Sequence, residues 1–141
     1  VQQSMGRELK ARLHKLQTFK KFARRVEKSK VDLRKILESY KEEGKKVVSY
    51  GATSKSTTVF NYCNIGTDLI QYVVDTTPDK QNKFSPGSHI PVVSPDRFDE
   101  NVDIAYLGAW NYEKEILNKE LEFSSRGGIF ISHIPFVREV K

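Results

Sequence analysis

Cysteine is almost missing from this chain. The single Cys63 among 141 residues excludes an internal disulfide and a cysteine-built zinc site. Long hydrophobic runs are missing too; no apolar stretch approaches the roughly 20 residues that cross a bilayer, so no membrane partner is expected. No secretory leader is visible and the first residue is Val1, so the chain reads as a piece of a longer protein with a default cytoplasmic address. There is no internal repeat and no low-complexity tract. Acid is scarce in one region only. Residues 1–46 hold 15 Lys and Arg against 6 Asp and Glu, a net of +9, whereas residues 47–141 net −3. A basic chain suggests nucleic acid, but the second segment has no basic stripe interleaved with aromatics. The basicity is read as a solvated helix face, or one docked on an acidic neighbour. Nucleic-acid binding is expected to be weak and to collapse at physiological salt.

The basic third has helical spacing. Leu9, Leu13, Leu16, Phe19, Ala23 and Val26 recur at steps of three and four, as do Leu33, Ile36, Leu37 and Tyr40. Ser29 with Asp32 reads as a capping box, which predicts a break near residues 28–30, and Gly44 reads as the stop. The apolar stripe needs a partner, either the rest of this chain or something upstream.

After Gly44 the pattern alternates between strands and helices. Strands are expected over 46–50, 70–74, 102–107 and 128–134, with a short one at 92–93. Helices are expected over 55–63 and 112–123, with a helical turn over 94–98. Continuous apolar strands joined through helices predict an α/β fold, a doubly wound and mainly parallel sheet preceded by one or two long basic N-terminal helices. Residues 1–44 form a helical connector in this reading, and 45–141 the α/β domain.

The turn after the first strand, Gly51-Ala52-Thr53-Ser54-Lys55-Ser56-Thr57, is the first candidate site. Small residues between a buried strand and a helix leave backbone N–H groups at a helix N-terminus, where α/β folds bind phosphates. The dinucleotide fingerprint is incomplete, because Thr53 and Ser56 stand where glycines belong, and the phosphate-loop spacing also fails. Asp75 ends the second strand about where an acid holds a ribose. Either this turn contacts a ligand, or Ser54 caps the helix and Asp75 the next loop.

The loop over 76–89 supplies the second set of candidates. Its length argues for function, its prolines for a defined path, and Lys80 and His89 for ligand donors. His89 bonding within its own loop is the competing reading. Trp110 and Asn111 follow the third strand at its carboxyl end; Trp110 either stacks on a base or sugar or belongs to the core, and Asn111 caps a helix or bonds to the ligand. His133 is read as structural, His14 as solvent-facing and Cys63 as a buried inert thiol.

Several of these residues carry a resemblance: Tyr50-Gly51-Ala52 with Lys55, Asn61-Tyr62, Asp75, Pro78 with Lys80-Gln81, Pro86-Gly87, His89-Ile90-Pro91, Trp110-Asn111 with Glu115, and Gly127-Gly128 before Pro135. From about residue 20 onward the chain resembles the C-terminal domain of S-adenosylmethionine-dependent C-methyltransferases acting on nucleotide-linked deoxysugars. The resemblance implies a Rossmann-like fold that helps complete a nucleotide-sugar site through Gly51, Ala52, Thr53, Ser54, Lys55, Asp75, Lys80, His89, Trp110 and Asn111. It also implies that a zinc-binding N-terminal segment and a central methyltransferase domain precede this one in the same polypeptide, and that S-adenosylmethionine and the acid–base residues belong upstream. This stretch alone then binds no methyl donor, carries no cofactor and transfers no methyl group. Ser56 departs from the Gly common in relatives, and its Cβ restricts a phosphate's approach. The alternatives are a stand-alone nucleotide- or CoA-type regulatory module and a basic nucleic-acid binder.

Overall fold

The computed structural model describes residues 2–140; residues 1 and 141, at the outer ends of the two expected segments, lie outside it. Helix α1 (Gln2–Lys10) is followed by a turn in which Arg12 takes a φ of 56°. Helix α2 then runs 27 residues, Leu16–Glu42. The expected break at 28–30 does not occur. Ser29 caps nothing, and Asp32 pairs instead with Lys28 one turn back, an i,i+4 contact that belongs to a continuous helix. The chain breaks instead at 11–15.

The sheet has seven strands: β1 (Val47–Tyr50), β2 (Val73–Val74), β3 (Lys83–Phe84), β4 (Pro91–Val93), β5 (Ile104–Leu107), β6 (Ile129–Ser132) and β7 (Arg138–Val140). Their order is β3-β4-β2-β1-β5-β6-β7. The inner five run parallel, and β3 and β7 pair antiparallel at the two edges. From β1 the chain proceeds outward through β2 to β4, then returns to the other side of β1 for β5 and β6. The direction of winding therefore reverses between β1 and β5.

Every residue of β1 and β5 is buried, because helices cover both faces. Ile104 and Tyr106 point to one face, where Leu33 and Leu37 of α2 and Phe60 of α3 (Ser54–Cys63) complete a core. Ala105 and Leu107 point to the other, against Ile116 of α4 (Glu113–Lys119) and Phe123 of α5 (Leu121–Ser125). Full burial of Leu33 and Leu37 stabilises the docking of α2 by about 1.5–3 kcal/mol each. The C-terminal half of α2 therefore shares the core of the α/β body. Leu16, Phe19 and Phe22, nearer its start, stay exposed.

Expected helix 112–123 is two helices, since Glu120 leaves the helical region at φ −103° and ψ 40°. Edge strands β3 and β7 went unpredicted. No helix of the described residues is long and apolar enough to cross a membrane.

Candidate functional site: a crevice at the carboxyl edge of the sheet

Parallel register places Tyr50 beside Val74 and beside Leu107. The next residues, Gly51, Asp75 and Gly108, therefore emerge side by side where the winding reverses. Open α/β sheets bind ligands in such crevices. A crevice of about 290 Å³ lies here; Gly51, Thr53, Asp75 and Ala109 come from the strand ends, and Glu115 and Lys119 from α4.

Its floor is two backbone turns in contact. Gly51 adopts φ 97°, its N–H donates to the Val74 carbonyl, and Ala109 N–H donates to the Tyr50 carbonyl at 3.2 Å. A Cβ on Gly108 would press directly on the Gly51 carbonyl oxygen and come within 2.9 Å of Ser49 Oγ. The two turns meet only because Gly108 has no side chain.

Thr53, not Ser54, caps α3. Thr53 Oγ1 accepts from the Ser56 N–H at 3.0 Å, and Ser56 Oγ accepts from the Thr53 N–H at 3.0 Å. Ser56 is thus committed to building the turn. Asp75, only 8% exposed, locks the turn from the other side: Oδ2 accepts from the Ala52 N–H at 2.7 Å and Oδ1 from the Thr77 N–H at 2.8 Å. Lys80 Nζ donates to Asp75 at 3.3 Å and to the Ala52 carbonyl at 2.9 Å. Burial alone would raise the Asp75 pKa, but hydrogen bonds from Thr77 and Ala52 and the Lys80 charge together hold it below the ordinary carboxylate value.

Eight of the ten sequence candidates fall into three groups, and Ser54 and His89 stand apart. Gly51, Thr53 and Asp75 line the crevice. Ala52 and Lys80 stand behind it, already bonded to Asp75. Lys55, Trp110 and Asn111 cluster on the 108–112 turn: Lys55 Nζ donates to Asn111 Oδ1 at 3.1 Å and lies 5.7 Å from the Trp110 ring centre. Ser54 sits at the first position of α3. Among the described residues the Ser54 and Lys55 N–H groups have no hydrogen-bond acceptor, so both remain free at the helix end. His89 is exposed, gives its N–H to Ser85 at 2.9 Å, and is not part of the crevice lining. Its loop is stitched down by Asn61, which donates to the Pro86 carbonyl at 2.9 Å.

Sequence reasoning singled out none of the α4 residues as ligand contacts. Tyr112, Glu115, Ile116 and Lys119 all line the crevice, and their spacing of three, four and seven was the available signal. Lys119 Nζ donates to Tyr50 Oη at 3.0 Å, and that hydroxyl donates to Glu120 at 2.7 Å. The bond to Tyr50 raises the Lys119 pKa and keeps it cationic.

A larger groove, about 560 Å³ and mostly apolar, runs between α2, α3 and residues 133–135, with Phe22, Val26, Tyr62 and Cys63 among its walls. Cys63 is buried and its thiol pKa is pushed up by that burial. His133 closes one end, with Nδ1 at 2.8 Å from Tyr106 Oη. Among the described residues, no three His, Cys, Asp or Glu side chains gather in a way that could hold a metal ion.

An open, mainly parallel α/β sheet with a crevice at its winding reversal places the chain among open-sheet α/β domains. A sequence model of the C-methyltransferase C-terminal domain matches residues 1–135, and the chain belongs to that family. It is also 37% identical, over 123 residues, to the C-methyltransferase NovU of Streptomyces niveus. That alignment covers 86% of this chain and 29% of NovU, so the chain spans less than a third of that relative's length.

Proposed function

We propose that this domain helps to bind the nucleotide-sugar substrate of a sugar C-methyltransferase, while another part of the same polypeptide carries out methyl transfer. The observation that carries this reading is the crevice at the reversal point, beside the free N–H groups of α3. The strand order supports a Rossmann-like assignment of the fold. In this reading the phosphates lie at the start of α3, against the Ser54 and Lys55 N–H groups and the Lys55 ammonium. Helix dipole and cation act together there. Trp110 and Asn111 hold Lys55 in place and offer a ring face. Ala52, Asp75 and Lys80 keep the turn rigid, so that its donors are preorganised.

Zinc is assigned to an N-terminal segment of the polypeptide and S-adenosylmethionine to its methyltransferase domain. When bound there, the donor supplies the methyl group; this chain's residues position the acceptor. The part of residues 1–44 ahead of the core-packed half of α2 serves as the connector, and the apolar groove between α2 and α3 receives a neighbouring domain of the same polypeptide. The exposed Leu16, Phe19 and Phe22 continue that apolar surface along α2. A cytoplasmic enzyme accords with this substrate class.

Lys55→Ala tests the reading. Removing one charge-assisted contact at an exposed site weakens nucleotide-sugar affinity by about tenfold, with the fold unchanged by circular dichroism. Calorimetry on wild type and variant measures it; equal affinities would remove Lys55 from the site.

A further inference from the structure

We infer that the crevice receives a neutral, hydroxyl-rich ring of the ligand rather than its phosphates, and that Glu115 and Lys119 read its hydroxyl groups. This inference rests on the nucleotide-sugar reading above and divides that ligand between two places.

Size comes first. A volume of about 290 Å³ lies at the lower bound of small-molecule sites, which suits one ring and not a whole nucleotide-sugar. Charge comes second. The ionisable side chains of the lining, apart from the tyrosines, are Asp75, Glu115 and Lys119. Asp75 is saturated by Ala52, Thr77 and Lys80 and has little left to offer. Glu115 is exposed on α4 and, among the described residues, has no hydrogen-bond or ion-pair partner. Lys119 gives one N–H to Tyr50 and lies 3.4 Å from Glu120, which leaves a third N–H directed elsewhere.

A diphosphate placed here would face the unpaired Glu115 carboxylate, with Lys119, already shared with Glu120, as the one ammonium of the lining. A ring bearing hydroxyl groups meets none of that repulsion: Glu115 accepts from hydroxyls, and Lys119 donates to a hydroxyl or ring oxygen. Tyr112, 53% exposed, supplies an apolar face for the ring's C–H side. The phosphates then fall outside the crevice, toward the α3 start and Lys55, where the free donors are.

The ring is either the ribose of the nucleotide or the sugar attached to it, and one titration series separates them. Wild-type chain and Glu115→Ala are titrated with a nucleoside diphosphate and with the corresponding nucleoside diphosphate sugar. Glu115 is exposed, so the variant folds, which circular dichroism checks. The expected result is a roughly tenfold loss of affinity in Glu115→Ala. A loss seen with both ligands places the ribose in the crevice; a loss seen only with the sugar present places the sugar there. Unchanged or tighter binding by Glu115→Ala overturns the inference, because removing a carboxylate beside a phosphate relieves repulsion. Failure of the wild-type chain to bind either ligand overturns this inference and the nucleotide-sugar reading together.

Discussion

Gly108→Ala lowers the unfolding free energy by about 3 kcal/mol and disrupts the crevice floor. The added methyl group meets backbone, the Gly51 carbonyl oxygen, rather than a side chain that can swing away. Overpacking in a site with side-chain slack costs about 1–3 kcal/mol, and a backbone obstacle puts the cost at the upper end. Relief requires the 108–112 turn to withdraw from β1. That movement stretches two contacts, the Ala109 N–H to the Tyr50 carbonyl and Thr53 Oγ1 to the Gly108 carbonyl at 2.8 Å. Chemical denaturation gives the stability change. Gly6, inside α1 with nothing within 4 Å of an added Cβ, is the control; Gly6→Ala should be neutral or stabilising by up to about 1 kcal/mol. A Gly108→Ala protein as stable as wild type would show that the two turns are not in contact.

His133 dominates the acid response. Burial lowers its pKa from 6.5 to about 4, so it stays neutral in the folded protein over a range in which the unfolded chain takes up a proton. The unfolded state binds more protons between those two values, so stability falls as pH drops from about 6.5 to about 4. The full loss is about 3 kcal/mol from this group. Asp75 acts in a lower window. Its depressed pKa means that its contribution is complete above the ordinary carboxylate value and disappears as pH falls through the depressed one. His133→Gln keeps a hydrogen-bonding partner for Tyr106 and removes the titration. Urea unfolding of wild type and variant at pH 7, 6, 5 and 4 should give curves that converge as pH falls. Parallel curves would show that His133 is solvated.

The buried strands were legible because burial on both faces writes a continuous apolar run, as at residues 102–107. Edge strands β3 and β7 were not. Lys83–Phe84 and Arg138–Val140 owe their extended form to pairing with β4 and β6, and that pairing leaves no local pattern. The break expected at 28–30 rested on a capping-box motif that equally fits a helix interior once Asp32 reaches Lys28. In the crevice, Gly51, Thr53 and Asp75 could be named from sequence because each sits at a strand end, where position alone predicts exposure to the site. Glu115 and Lys119 were marked only by helical spacing, and Glu115 also by the resemblance, neither of which makes them crevice residues. Their direction depends on which face of α4 packs on the sheet, and the halt of that helix at Glu120 comes from tertiary packing. Lys80 shows what a sequence leaves out: a cation in a long loop suggests a ligand donor, and only the fold reveals that it also pairs with Asp75.

Chemical-shift mapping locates the bound ligand on the fold. The isotope-labelled chain is titrated with a nucleoside diphosphate sugar, and backbone amide shifts are followed. The largest shifts are expected at Gly51, Ser54, Lys55, Thr76, Ala109 and Glu115, where the strand ends, the α3 start and α4 meet. Shifts confined to the α2–α3 groove around Phe22, Val26 and Tyr62, or no shifts at saturating ligand, would contradict binding at the crevice.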